Sequence, residues 1–233
     1  MKSLPAACLG LLFLLPTARA DDWPQWRGPE RTGHVSSGVA VPTSLPAEPK
    51  VIWRTSIGDG LASPVIAGGK VFYLDNQEGR EVLHAVAATD AKELWHAEID
   101  KVHGDSQSVP GPRCTPMVDG DRVYAQSCRG ELRCLKTTDG TPLWNVNYTT
   151  DFSALFIGEK GKAQGATRHG NNGSPLIDGD RLYASVGGTN GESVVCFRKT
   201  TGKVIWKSQN DQAGYAAPID DAIGGVRQLV DFT

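Results

Sequence analysis

The segment Ser174-Pro175-Leu176-Ile177-Asp178-Gly179-Asp180-Arg181-Leu182-Tyr183 contains two short apolar runs joined by an Asp-Gly turn. This pattern predicts a β-hairpin, because glycine accepts the positive φ that a tight turn requires. The same pattern recurs at residues 63–73 and 115–124 and, more loosely, at residues 217–227. The prolines of the four copies lie 52, 59 and 43 residues apart, at Pro64, Pro116, Pro175 and Pro218. The chain is therefore built from an internal repeat.

Two further strands are predicted after each hairpin. The third strand lies at residues 81–87, 131–135 and 193–197, and a turn leads from it to a fourth strand that carries a tryptophan. Four antiparallel strands that recur about every 45 residues are typical of β-propeller blades. A β-sandwich also has short strands, but it does not need the same four-strand pattern three times. The sequence thus predicts an all-β fold, a β-propeller of four-stranded antiparallel blades.

The repeat predicts an incomplete propeller, with about three full blades plus partial ones. Residues 51–54 resemble a fourth strand with its tryptophan, Trp53, but the first three strands of that blade are missing. Residues 218–233 supply about two strands of a fourth blade. Propellers usually close with four to eight blades, so we expect unpaired strand edges at both ends, which invite aggregation or pairing with another chain.

The composition is that of a globular protein, with 233 residues, 39% of them hydrophobic, and a formal net charge of −2. This balance predicts no nucleic-acid surface. Lys2, the apolar run at residues 9–15 and the small residues Ala18 and Ala20 predict a secretory signal peptide over residues 1–20. That run is too short to span a bilayer, so we expect a secreted or periplasmic protein of the cell envelope that is not membrane-spanning. Residues 21–48 would be an N-terminal leader and residues 49–233 a partial propeller.

Four cysteines remain after the signal peptide: Cys114, Cys128, Cys134 and Cys196. None is spaced as C-x-x-C, which argues against zinc-ribbon and c-type haem sites. Cys134 and Cys196 stand at the repeat position of Ala85, so buried free thiols are expected. An oxidising compartment permits disulfides. A disulfide between Cys114 and Cys128 remains an alternative, because the two residues lie on adjacent strands of one blade.

The turn and fourth strand resemble the pyrroloquinoline-quinone-like (PQQ-like) repeat, whose fingerprint is Ala-x-Asp-x-x-Thr-Gly-x-x-x-Trp. The glycine is kept as Gly140 and Gly202, the threonine as Thr201, and the aspartate in no copy. Residues 22–29, Asp-Trp-Pro-Gln-Trp-Arg-Gly-Pro, resemble the leader of a bacterial subgroup of these proteins. The resemblance implies that large, flat tryptophan side chains pack between neighbouring blades. They are Trp53, Trp95, Trp144 and Trp206.

The resemblance implies one of two functional classes. The first comprises alcohol or sugar dehydrogenases that depend on PQQ and calcium, and the second comprises non-catalytic propellers such as those of outer-membrane assembly. The sequence has neither the vicinal cysteines of the alcohol dehydrogenases nor a C-x-x-C-H haem motif. Asp-Gly-Asp frames at residues 119–121 and 178–180 are interpreted as hairpin turns. We therefore expect an exported, non-enzymatic binding or scaffold module without catalytic residues, metal or cofactor. The alternative is a fragment of a PQQ- and calcium-dependent dehydrogenase.

The candidate binding surface follows from blade geometry. Loops from a fourth strand to the next first strand cross one face, and two are long, residues 100–113 and 147–173. The residue three positions before each repeat proline ends such a loop, which gives Leu61, Arg113, Asn172 and Tyr215. Arg168, His169 and Asn171 lie beside this ring. We expect these seven residues to bind another envelope protein or a small ligand, and Arg113 and Tyr215 to matter little for folding.

Overall fold

Antiparallel strands in groups of four build the part of this computed structural model that is described, residues 22–39, 41–105, 108–154 and 169–232. The first blade contains β1 (Val65–Ala67), β2 (Lys70–Gln77), β3 (Arg80–Ala87) and β4 (Glu93–Lys101). The second contains β5 (Met117–Asp119), β6 (Arg122–Gln126), β7 (Glu131–Lys136) and β8 (Pro142–Asn147). The third contains β9 (Leu176–Asp178), β10 (Arg181–Gly188), β11 (Glu192–Arg198) and β12 (Val204–Ser208). The predicted fold is confirmed.

A two-stranded sheet follows the third blade, formed by β13 (Ile219–Ile223) and β14 (Val226–Val230). It matches the two strands expected of a fourth blade. A five-residue helix, α1 (Tyr148–Phe152), begins the long loop after β8, and the sequence did not predict it. The signal peptide predicted over residues 1–20 lies outside the described residues. No helix among the described residues is long and apolar enough to cross a membrane.

Each blade contains the same cross-strand row of an aromatic, a small residue and a tryptophan. In the first blade, Phe72 pairs with Ala85 and Ala85 with Trp95. The second row is Tyr124, Cys134 and Trp144, and the third is Tyr183, Cys196 and Trp206. The two rings of each row lie 5.8–5.9 Å apart, so the residue between them must be small. This packing explains why cysteine stands in place of alanine.

The tryptophan of one blade covers the turn of the next. The Nε1 of Trp95 donates to the carbonyl of Thr137 at 3.1 Å, and the Nε1 of Trp144 donates to that of Lys199 at 2.9 Å. A Cβ on Gly140 or Gly202 would lie 2.7 Å from the covering ring, so only glycine permits this contact.

Trp53 makes the same kind of contact with the first blade, since its Nε1 donates to the carbonyl of Ala88 at 2.8 Å. The strand predicted at residues 51–54 is nevertheless wrong. These residues pair with no strand in the described chain. At the opposite edge, Trp206 remains 36% exposed.

All four described cysteines are buried and carry free thiols. The thiol of Cys114 donates to the carbonyl of Asn171 at 3.0 Å, and that of Cys128 donates to the carbonyl of Gly111 at 3.3 Å. Burial raises the pKa of both thiols. They act as small packed side chains in the seams between loops, not as reactive nucleophiles.

Candidate binding cleft

Four residues from equivalent repeat positions surround a single cleft of about 270 Å³. They are Leu61, Arg113, Asn172 and Tyr215. Each comes from the loop that precedes the first strand of a sheet, so the approximate symmetry of the blades brings them together. Leu61 and Tyr215 are 59% and 44% exposed and form the outer edge of this central cleft. The ring expected from the repeat therefore exists as a geometric feature.

The wall of the central cleft carries a second set of equivalent residues. Ser63, Thr115 and Ser174 each stand directly before a repeat proline, and all three line the cleft. Sequence comparison of the repeats contains this signal, because the hydroxyl is present in three of the four copies. The sequence prediction used only the position two residues earlier in each repeat, so it did not include these hydroxyls.

Arg113 is a buried pairing residue, which corrects the expectation that it is free of packing. Its side chain is 5% exposed and donates to Asp105 at 2.9 Å, to the hydroxyl of Ser108, and to the carbonyl of His169 at 2.7 Å. The same Asp105 carboxylate lies 2.8 Å from Nδ1 of His169. Arg113 thus ties the two long loops together through its two terminal nitrogens.

The remaining predicted residues lie near this network. The ring of His169 lies 5.3 Å from that of Tyr215, which connects the second long loop to the segment between β12 and β13. Asn171 is buried behind the cleft, where its Nδ2 donates to the carbonyl of Cys128 at 3.3 Å. Arg168 lies outside the described residues.

The leader runs along the first strands of the first two blades and forms part of the cleft. The carboxylate of Asp22 accepts from the amide of Gly68 at the turn between β1 and β2. Trp23 forms an antiparallel bridge with Ile66, and the carbonyl of Pro24 accepts from Val118 at 2.8 Å. Trp26 then lines the central cleft at the opposite, loop-rich face.

Arg31 fastens the leader to the third blade. Its guanidinium is buried and donates to the carbonyls of Pro175 at 2.7 Å and Ser174 at 3.1 Å. Burial lowers the pKa of Arg31 to about 10, opposed by the charge of Asp220. The guanidinium also lies 5.6 Å from the ring of Trp26, in a cation–π contact. The leader therefore contacts three successive blades.

A buried carboxyl group lies in the seam between the first two blades. The side chain of Glu81 is fully buried, and its oxygens accept from the amide of Cys128 at 3.3 and 3.4 Å. Burial raises the pKa of Glu81 to about 7, although the Cys128 amide and the charge of Arg113 oppose the shift. Glu81 does not line the cleft, so we assign it no role in binding.

The central cleft offers hydroxyls, an amide and aromatic rings. Calcium takes six to eight oxygen ligands that include carboxylates, and the described lining contains no carboxylate. Among the described residues, no group of three or more acidic, histidine or cysteine side chains could hold a metal ion. The residues of this cleft therefore do not fit a calcium-bound quinone.

Repeated four-stranded blades, joined by tryptophans that cover glycine turns, define a β-propeller of the PQQ-like repeat class. The chain belongs to the family described as outer membrane protein assembly factor BamB, whose sequence model matches residues 46–220.

Two relatives and one solved structure give the extent of the similarity. BamB of Salmonella typhimurium is 30% identical over 105 residues, which are 42% of this chain and 26% of the relative. BamB of Xanthomonas campestris is 26% identical over 172 residues, 70% of this chain and 35% of the relative. Quinohemoprotein alcohol dehydrogenase from Comamonas testosteroni superposes with a TM-score of 0.52 at 16% identity, covering 79% of this chain and 26% of that one, which shows the fold alone. The matches span about a quarter to a third of these proteins.

Proposed function

We propose that the chain is part of an exported, non-enzymatic scaffold that holds another protein of the cell envelope at its loop-rich face. Its family relatives are named for outer-membrane protein assembly, and the same role is proposed here. The observation that carries the proposal is the convergence of four repeat-equivalent loop residues on the central cleft. Loops of a rigid scaffold commonly supply binding residues.

The chemistry of the central cleft supports binding over catalysis. Arg113 is occupied by Asp105, Ser108 and His169, so it positions loops and does not offer a free cation. Exposed Leu61 and Tyr215 present an apolar edge, which suits a protein surface. The proposal includes no metal and no cofactor.

Site-specific photocrosslinking in cells tests the scaffold role. A photoreactive amino acid at Leu61 should give a defined adduct with an envelope protein, identified by mass spectrometry. The same group at Leu94, which is exposed on the outer strand β4, serves as the matched control. Equal crosslinking from both positions would contradict the proposal, as would adducts only with cytoplasmic proteins.

The competing function is that of a PQQ- and calcium-dependent dehydrogenase. After incubation of the mature protein with PQQ and calcium, we expect its absorbance spectrum to show no bound quinone. We also expect no dye reduction when an alcohol or a sugar is added. Substrate-dependent dye reduction would establish the dehydrogenase instead.

A further inference from the structure

The size of the central cleft limits what it can hold. Small-molecule sites usually have volumes of about 300–1,000 Å³. At about 270 Å³, the cleft lies near the lower end of that range and has room for a single large side chain. In protein interfaces, such pockets commonly receive one aromatic anchor of the partner.

The lining separates into an apolar part and a polar part. Trp26, Leu61 and Tyr215 supply ring and aliphatic surfaces. The polar part consists of Arg113, Asn172 and the hydroxyls of Ser63, Thr115 and Ser174. An aromatic side chain with a polar atom at its end would satisfy both parts at once.

Asn172, which lines the cleft, carries an unpaired acceptor. Its Oδ1 is buried and has no hydrogen-bond partner among the described residues. Buried polar atoms in folded proteins are nearly always paired, so this oxygen calls for a donor. A tyrosine hydroxyl or an indole N–H is a donor, whereas a phenylalanine ring is not.

We propose that the central cleft receives a tyrosine or tryptophan side chain from an extended segment of the envelope partner, with its ring against Trp26 and its donor directed to Asn172. This proposal rests on the proposed scaffold function and specifies the recognition element. The leader is then part of the binding site, because it supplies Trp26. A partner that docks only through the outer blade strands would use a different surface.

Titration with short model peptides tests the anchor directly. The mature, isotope-labelled protein is titrated with acetyl-Gly-Tyr-Gly-amide and with its tryptophan, phenylalanine and alanine counterparts, and amide shifts are followed by NMR. We expect tyrosine and tryptophan peptides to shift the amides of residues 61–63, 172–174 and 215–217. Their affinity should exceed that of the phenylalanine peptide by about tenfold, the effect of one buried hydrogen bond.

Two variants identify the contacts. Asn172→Ala should bring the affinities for tyrosine and phenylalanine peptides within about twofold, because the acceptor is gone. Trp26→Ala should abolish binding of every peptide. Leu143→Ala, on the outer strand β8, is the control and should bind as the unaltered protein does.

The result distinguishes this inference from the scaffold function. Equal binding of tyrosine and phenylalanine peptides, or shifts confined to another surface, would overturn the anchor proposal. Crosslinks from Leu61 without any peptide binding would leave the scaffold function standing and refute the anchor alone.

Discussion

At the scale of single residues, Glu81 predicts how stability depends on pH. Its pKa is about 7 in the folded protein, raised by burial from an ordinary value of 4.5. Because the pKa of Glu81 is higher in the folded state, the folded protein binds this proton more tightly than the unfolded chain does. The stabilisation from protonated Glu81 is therefore fully present below about pH 4.5 and is lost as the pH rises through about 7.

Glu81→Gln should stabilise the protein increasingly as the pH rises. The amide keeps an acceptor for the Cys128 amide and never ionises. A difference of about 2.5 pKa units corresponds to about 3 kcal/mol between pH 4.5 and pH 8.5. Urea unfolding at both pH values measures this, with Glu48→Gln in an exposed stretch as the control. The same gain at both pH values would contradict the assignment.

Trp144 gives the second prediction at this scale. Trp144→Ala should lower the free energy of unfolding by about 3–5 kcal/mol, because it removes a ring that covers Gly202. Trp144→Phe should cost less, since it keeps a ring and loses the bond to the carbonyl of Lys199. Denaturant melts measure both, with Leu143→Ala on the same strand as the control. A loss below about 1 kcal/mol for Trp144→Ala would show that the inter-blade contact contributes little.

At the scale of elements, the sequence predicts those strands and turns whose formation depends on residues close together in the chain. Blade strands were predictable because Asp-Gly turns, apolar runs and tryptophans repeat at fixed positions. Helix α1 was not, because five residues are too few for a helical period, although Asn147 caps it through its side-chain oxygen. The leader was not placed either, since its bridge to Ile66 depends on a distant strand.

The candidate site was likewise predictable from the sequence only in part. Repeat position predicted which loop residues meet at the cleft, but it could not show that Arg113 is buried. Its partner Asp105 lies in the same long loop, whose path is not set by turn chemistry. Trp26 reaches the cleft only through the docked leader, so no local pattern marks it as a site residue.

The Arg113 network predicts the behaviour of the long loops. Arg113→Met should cost about 3–5 kcal/mol, because it leaves the carboxylate of Asp105 buried without its cation. Adding Asp105→Asn should recover part of this loss, which a double-mutant cycle measures. Arg80→Met breaks an exposed pair with Glu98 and should cost under about 1 kcal/mol. Additive losses at Arg113 and Asp105 would contradict the pairing.

At the scale of the whole molecule, the leader connects blades that otherwise touch only their neighbours. In repeat folds, each unit contacts the next, so coupling across several units requires a segment that spans them. The leader does so through Trp23 and Pro24 on the first two blades and Arg31 on the third. Gly28 permits this path, since a Cβ there would lie 2.8 Å from the ring of Trp23.

Substitutions at two glycines of the leader distinguish the effect of leader docking from the effect of backbone strain. Gly28 and Gly38 both have positive φ, +83° and +93°, but an added Cβ at Gly38 meets nothing within 4 Å. Each substitution by alanine should cost about 1–2 kcal/mol through the backbone. Only Gly28→Ala should also displace Trp23 and so free the leader. Hydrogen exchange at the amides of Ile66 and Val118, which donate to Trp23 and Pro24, should then accelerate in both blades together. Unchanged exchange at these two amides in Gly28→Ala, or equal acceleration in Gly38→Ala, would show that the leader does not couple the blades.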